Sequence, residues 1–243
     1  MRVKSSPPLE KLVKVGELMR RRLRELKRSP EELAEAAQVP TDYIEDLIAS
    51  RRRPPLPGRT DLYDRMTTFL RLGRNDLANC ARAERAASAP AEPVGPDASI
   101  ARLLLGMCEP ATAKELEQRR ALRGSAEFAG YAQRLLDVTQ GSVRRMLDDQ
   151  IGLRIAAAQG GSTYVGLRLR VLEFLDATPD TLTADDVGEF VRPRIGSWDI
   201  DFQTGVLRVV LRSQEPREPY RRTPRGRRPA PRTGGTNQVR RSE

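Results

Sequence analysis

Residues 29–48 read SPEELAEAAQVPTDYIEDLI, and this stretch decides how the first third of the chain folds. Ser29 is followed by Pro30 and, three positions after the serine, by Glu32. The serine hydroxyl and the glutamate carboxylate at this spacing form a capping box, and proline suits the first position of a helix. The sequence therefore predicts a helix that begins at Pro30 with its free backbone N–H groups satisfied.

A second short helix is predicted directly after the first. Val39 and Pro40 break the chain, and residues 41–48 restart a helix with apolar side chains on one side. The small residue Ala34 lies where the two helices would cross. Two short helices joined by a tight turn have the geometry that presents the second helix to a groove.

This arrangement resembles the lambda-repressor and Cro-like family of helix-turn-helix domains. The resemblance covers about residues 12–86 and implies a five-helix domain. The residues that carry it include a long first helix, the Leu33-Ala34 pair, the arginine- and proline-rich loop 51–55 and two further helices. The apolar positions concerned are Leu18, Leu23, Leu26, Leu33, Ala34, Val39, Ile44, Leu47, Leu62, Met66, Phe69, Leu70, Leu77 and Cys80.

The resemblance also implies which residues contact DNA. The helix at 41–49 would read the major groove through Thr41, Asp42 and Asp46. Arg51, Arg52 and Arg53, in the loop that follows, would then hold phosphates, as loop cations do in many such complexes.

The acids of the second helix leave an alternative open. Asp42, Glu45 and Asp46 lie on one short helix and would repel a phosphate backbone, although a carboxylate can accept from cytosine N4. Gln38 also occupies a turn position that is usually glycine in the family, and Pro30 replaces a polar residue that often touches phosphate. A similar domain in a bacterial cell-shape protein family docks on an actin-like partner. A protein-binding adaptor is therefore the alternative to a DNA-binding regulator.

Charge is distributed unevenly along the 243 residues. The formal net charge is +10, of which residues 1–86 contribute +6 and residues 214–243 contribute another +6. The segment between them carries −2. Basic ends around a near-neutral centre indicate a polyanionic partner. The cations are mostly arginine, which suits phosphate and guanine edges but also follows from the codon usage of a GC-rich genome.

Composition excludes several kinds of catalytic and metal site. The chain has no histidine, which rules out a Ser-His-Asp triad, a Cys-His pair and every histidine-containing metal site. Cys80 and Cys108 have no CxxC partner, as is typical of a reducing cytosol. No apolar run approaches the ~18–20 residues that span a bilayer, and we expect a cytoplasmic protein.

The predicted fold class is mainly α, with four successive segments. Residues 9–87 form the helix-turn-helix domain, residues 88–96 an Ala/Pro-rich linker, residues 97–213 a second α-helical domain that ends in a β-hairpin, and residues 214–243 a disordered basic tail. Five tail arginines are a candidate secondary nucleic-acid contact, with a purely solubilising role as the alternative. They are Arg221, Arg222, Arg225, Arg227 and Arg228.

Two weaker patterns lie in the second region. Residues 132–146 resemble a second helix pair with a turn at Thr139-Gln140-Gly141-Ser142, whose polar side chains could suit base edges or simply belong to an amphipathic pair. Asp199 and Asp201 alternate with apolar residues on a predicted strand, which favours a solvated face over a divalent cation site.

The sequence therefore predicts a sequence-specific transcriptional regulator that binds double-stranded DNA. Its second domain would dimerise the chain or bind a protein partner or an effector. The protein-binding adaptor stays open beside it. We expect no enzymatic activity, no cofactor and no metal.

Overall fold

The computed structural model describes residues 14–88, 94–123 and 126–212, and this part of the chain is mainly helical. The first five helices occupy the region for which the sequence predicts five. They are α1 (Val15–Leu26), α2 (Pro30–Ala37), α3 (Thr41–Ile48), α4 (Leu62–Phe69) and α5 (Asp76–Ala87).

The capping box predicted before α2 is confirmed. The Ser29 hydroxyl accepts from the backbone N–H of Glu32 at 3.3 Å, and the Glu32 carboxylate accepts from the backbone N–H of Ser29 at 3.0 Å. Leu33 and Ala34 point inward from α2 and are almost fully buried. The sequence signal therefore fixes both the start of this helix and the side that packs.

The connection between α2 and α3 needs one residue in the left-handed region. Gln38 adopts a φ of 57° there, and its N–H returns to the carbonyls at the end of α2. Glycine adopts this conformation without a steric penalty, whereas a side chain costs about 1–2 kcal/mol. The Gln38 side chain also makes a hydrogen bond: its oxygen accepts from the Tyr164 hydroxyl at 2.9 Å.

Close packing of α1 on α3 depends on a glycine. A Cβ atom built on Gly16 would lie 2.5 Å from the Leu47 carbonyl oxygen and 2.7 Å from that of Ile48. Both oxygens are backbone atoms, so any side chain at Gly16 would push the two helices apart. The Arg20 guanidinium caps the same end of α3 through a 2.7 Å hydrogen bond to the Ile48 carbonyl.

Further helices and a hairpin complete the described chain. They are α6 (Ala98–Leu105), α7 (Pro110–Arg123), α8 (Ala126–Asp148), α9 (Gln150–Gln159), α10 (Tyr164–Asp176), the short α11 (Ala184–Asp186) with a π-helical turn at Val187–Val191, β1 (Ile195–Asp201) and β2 (Val206–Leu211). Within residues 126–148 the predicted helix pair is wrong. Instead, α8 is one 23-residue helix that runs through the Thr139–Ser142 segment. The side chains of Thr139 and Gln140 are buried in it and hydrogen-bonded, so they do not form a turn.

The predicted β-hairpin is confirmed. β1 and β2 pair antiparallel, with Trp198 opposite Val209 and Ile200 opposite Leu207. Trp198 and Ile200 enter the core. The Trp198 indole N–H donates to the Leu104 carbonyl at 2.9 Å, which ties the hairpin to α6.

By their contacts, all described residues belong to one compact unit. Helix α10 packs against α8 and α9 and also bonds to the α2–α3 connection and to the start of α4. The predicted division into domains at 88–96 stays a prediction, and residues 89–93 of that segment lie outside the described residues. The predicted disordered tail, 214–243, lies outside them as well. None of the described helices is both long and apolar enough to cross a membrane.

Candidate functional site

Three apolar side chains fix the orientation of α3. Tyr43, Ile44 and Leu47 are buried, so the opposite side of the helix faces solvent. Of the three residues predicted to contact DNA from this helix, Asp42 is exposed, whereas Thr41 and Asp46 are half-buried. The spacing of the apolar residues therefore brings the predicted contact residues to the accessible side.

Carboxylates hold two of the three loop arginines. Arg51 Nε lies 2.7 Å from Asp46 Oδ1. Arg52 Nη1 lies 2.9 Å from Glu173 Oε1 on α10, and its guanidinium stacks 4.8 Å from the centre of the Tyr43 ring. Arg53 is exposed and forms no ion pair within the described residues. Only one of the three predicted phosphate ligands is therefore without a carboxylate.

The helix pair itself is strongly acidic. Residues 29–50 carry six carboxylates and no lysine or arginine: Glu31, Glu32, Glu35, Asp42, Glu45 and Asp46. A hydrogen bond from the Ser29 side chain lowers the pKa of Glu31, and the backbone of Ser29, followed by Arg28, lowers that of Glu32. Both groups are therefore ionised at neutral pH.

Four of these carboxylates are without a cation. Arg28 neutralises Glu32 at 2.8 Å, and Arg51 neutralises Asp46. The other four, Glu31, Glu35, Asp42 and Glu45, are exposed and have no salt bridge to any cation in the described part of the chain. We call these four residues the acidic surface.

Buried polar contacts fix the loop that follows α3. Asp176 Oδ1 accepts from the Leu56 backbone N–H at 3.0 Å and from Arg85 Nη1 at 2.7 Å. The same Arg85 nitrogen donates to the Pro54 carbonyl at 2.7 Å. Burial raises the pKa of Asp176, and the nearby Arg85 charge opposes this effect. Helices α5 and α10 thus hold the middle of the loop, at Pro54 and Leu56.

A second buried arginine connects α10 to α2 and α4. Arg168 is fully buried, and its Nη2 lies 2.6 Å from Asp61 Oδ1 and 3.5 Å from the Ala37 carbonyl oxygen. Its Nε and Nη1 atoms have no hydrogen-bond partner among the residues that the structure describes. No local pattern predicts the burial of this residue or of Arg85, because an arginine on a helix is ordinarily solvent-exposed.

A cleft of about 470 Å³ separates this loop from α10 and the segment that follows it. Tyr43, Arg52 and Arg53 line one side, and Glu173 and Asp176 line the other. Its central charges already pair with one another or with Arg85. Arg53, which also lines the cleft, has no salt bridge among the described residues. Within the described residues, no three His, Cys, Asp or Glu side chains cluster in a way that could hold a metal ion.

The other patterns predicted from the sequence add no residue to the acidic surface. Gln140 is buried, and its amide donates to the carbonyls of Phe174 at 2.8 Å and Ala177 at 2.9 Å, so it is not available for base edges. Asp199 accepts hydrogen bonds from the Thr112 hydroxyl and the Ile200 N–H. Burial raises the pKa of the Cys80 thiol to about 11 and that of Cys108 to about 12. The five tail arginines predicted as a secondary contact, 221, 222, 225, 227 and 228, lie outside the described residues.

Comparisons with protein-family models, with curated proteins and with solved structures found no match to this chain.

Proposed function

We propose that helices α1–α5 form a helix-turn-helix unit of the lambda-repressor and Cro type that serves as a protein-binding adaptor. In this proposal the acidic surface docks on a basic segment of a partner protein. The observation that carries it is the charge of residues 29–50, which hold six carboxylates and no cation. Four of those carboxylates are exposed and have no salt bridge among the described residues.

Electrostatics favour a basic partner over a phosphate backbone. Proteins that bind DNA gain most of their non-specific affinity when lysine and arginine displace the counterions of the phosphates. Exposed carboxylates on the helix that enters the groove would oppose this gain. The same carboxylates attract lysine and arginine and speed the encounter with a basic protein surface.

The rigidity of the helix pair supports a role in docking. Tyr43, Ile44 and Leu47 anchor α3 in the core, and Gln38 fixes the connection through Tyr164. A preformed surface loses little conformational freedom on binding, which favours affinity.

A sequence-specific DNA-binding regulator is the second candidate. One specific observation favours it: Arg53 is exposed and unpaired in the described structure, at the loop position predicted to hold phosphate. Thr41 and Asp42 lie on the accessible side of α3 and would contact base edges. The pairing of Arg51 with Asp46 would then have to open before Arg51 could hold a phosphate.

A charge-neutralising variant separates the two candidates. Glu35→Gln, Asp42→Asn and Glu45→Gln together remove three charges from the acidic surface. A matched control, Glu117→Gln, Asp148→Asn and Asp180→Asn, removes three exposed carboxylates elsewhere that have no salt bridge in the described residues. The probe is a fluorescent 15-residue peptide of alternating lysine and alanine, and its binding is measured by anisotropy at several salt concentrations.

The adaptor proposal expects the surface variant to bind the peptide about 10-fold more weakly and the control to change less than 3-fold. The surface variant should also bind random duplex DNA more tightly than the wild type, because repulsion from the phosphates is relieved. Equal weakening in both variants would contradict the proposal. A specific duplex enriched from a random library, and lost on Thr41→Ala with Asp42→Ala, would establish the regulator instead.

A further inference from the structure

Four exposed cations lie at the far end of α1 and in the loop between α4 and α5. Arg24 and Lys27 belong to the end of α1, and Arg71 and Arg74 belong to the loop. None of the four forms a salt bridge within residues 14–88, 94–123 and 126–212. We call these four residues the basic surface. It shares no residue with the acidic surface.

Direct contacts bring the two segments together. Arg22 Nη2 donates to the Arg71 carbonyl at 2.9 Å, and Arg22 Nε donates to the Leu70 carbonyl at 3.3 Å. At the opposite end of α1, the Val15 N–H donates to Glu84 on α5 at 2.8 Å. Helices α1 and α5 therefore lie side by side, and the loop before α5 borders the end of α1.

The side chains around the basic surface indicate which class of partner it binds. None of the large apolar side chains that are exposed in the described structure belongs to α1 or to the 71–75 loop, so nothing here would insert into a bilayer. Phe69, the nearby aromatic residue, is half-buried, with the Arg28 guanidinium 5.6 Å from its ring centre. Single-stranded nucleic acid is usually held by free aromatic rings, which this surface lacks. Exposed cations at the adjoining ends of two segments, without free aromatic rings, suit the phosphates of a duplex.

We propose that the basic surface binds the phosphate backbone of double-stranded nucleic acid without reading its sequence. Arg24, Lys27, Arg71 and Arg74 each contact phosphate oxygens, and their binding releases the counterions of those phosphates. Together with the adaptor function, this would let one chain hold a basic protein beside a nucleic acid. The inference does not depend on that function, because it concerns different residues.

The test uses the full chain with all four cations of the basic surface changed to glutamine. A matched control carries Arg102→Gln, Lys114→Gln, Arg145→Gln and Arg192→Gln, which remove four other exposed cations that have no carboxylate partner among the described residues. The affinity for a 25-base-pair duplex of random sequence is measured between about 50 and 300 mM salt. The basic-surface variant should flatten the slope of log K against log salt by about three units, and the control by less than one.

A third variant tests whether the effect comes from the loss of charge or from misfolding. Arg24→Lys, Arg71→Lys and Arg74→Lys keep every charge and should preserve most of the slope. An unchanged slope in the glutamine variant, or an equal loss in its control, would overturn the proposal. So would a glutamine variant that loses binding to polyglutamate or to phosphatidylserine vesicles while it keeps duplex binding, because the surface would then recognise a different polyanion.

Discussion

Single side chains connect the first helices to the rest of the chain, and Arg168 is the most buried of them. Its guanidinium is fully buried on α10 and bonds to Asp61 at the start of α4. A buried charge is tolerated only when it is paired, and loss of its partner costs far more than loss of an exposed pair. The geometry of the α2–α4 region should therefore depend strongly on Asp61.

Replacing Asp61 by asparagine should destabilise the protein by about 2–3 kcal/mol, because Arg168 keeps its charge and loses its counter-ion. The measurement is urea unfolding followed by circular dichroism. Arg65→Gln removes only the second, more exposed partner of Asp61 and should cost about 0–1 kcal/mol. Equal losses of unfolding free energy in the two variants would show that the buried pair stabilises the protein no more than the exposed pair does.

The loss of stability caused by Asp61→Asn should become smaller in acid. Burial favours the protonated form of Asp61, but the hydrogen bond and the charge of Arg168 outweigh it and lower the pKa below its ordinary value. A carboxylate whose folded pKa is lowered contributes stability above its unfolded pKa of about 4, and this contribution is lost as the pH falls through the folded pKa. The difference in unfolding free energy between wild type and Asp61→Asn should stay constant from about pH 7 to 5 and shrink below about pH 4. A difference that widens in acid would contradict this assignment.

The buried side-chain amide of Gln140, on α8, contacts several elements. The Gln140 amide donates to two carbonyls at the end of α10, and its oxygen accepts from Arg59 in the loop before α4. Arg59 also pairs with Asp137 one turn earlier on α8. One side chain thus satisfies the end of α10 and positions the loop.

Gln140→Leu should therefore cost about 1–3 kcal/mol, because the Ala177 carbonyl loses the Gln140 donor, whereas the Phe174 carbonyl keeps the Ala177 backbone N–H. Gln133→Leu lies on the same helix and removes only a local bond to Asp137, so it should change stability by less than about 0.5 kcal/mol. Thermal unfolding of both variants checks the difference. A small effect at Gln140 would mean that water replaces its hydrogen bonds.

Local signals in the sequence predicted the elements that depend on neighbouring residues. The capping box at Ser29 and the alternation around Trp198 both gave elements that the structure contains. The turn predicted at Thr139–Ser142 is wrong, because polar residues indicate a turn only when distant carbonyls do not satisfy them. The pairing of Arg52 with Glu173 also joins residues far apart in sequence, and no local pattern reports such a contact.

For the whole molecule, the polar contacts of α10 imply that both helical regions unfold together. Trp198 is the single tryptophan and lies in the hairpin, so its fluorescence reports the second region. Circular dichroism reports all helices. The two signals should give the same urea midpoint in the wild type and shift together in Asp61→Asn. Separate midpoints would indicate two independently stable domains.

The charges of residues 14–88 fall into two groups. The basic first third predicted from composition divides into an acidic helix pair and a basic surface at the end of α1. Net charge alone suggests one polyanionic partner, whereas this separation suggests two partners of opposite charge. In the adaptor proposal, the acidic helix pair is the part that docks on protein.

Amide chemical-shift mapping of the full chain distinguishes this docking from contact with a duplex. The isotope-labelled protein is titrated with the lysine-alanine peptide and, in a second sample, with the random duplex. We predict that the peptide shifts amides of α2 and α3 around Glu35, Asp42 and Glu45, and that the duplex leaves these amides unchanged. A duplex that shifts Thr41, Asp42 and Arg53, with a peptide that leaves α3 unaffected, would contradict the adaptor and support a DNA-reading helix.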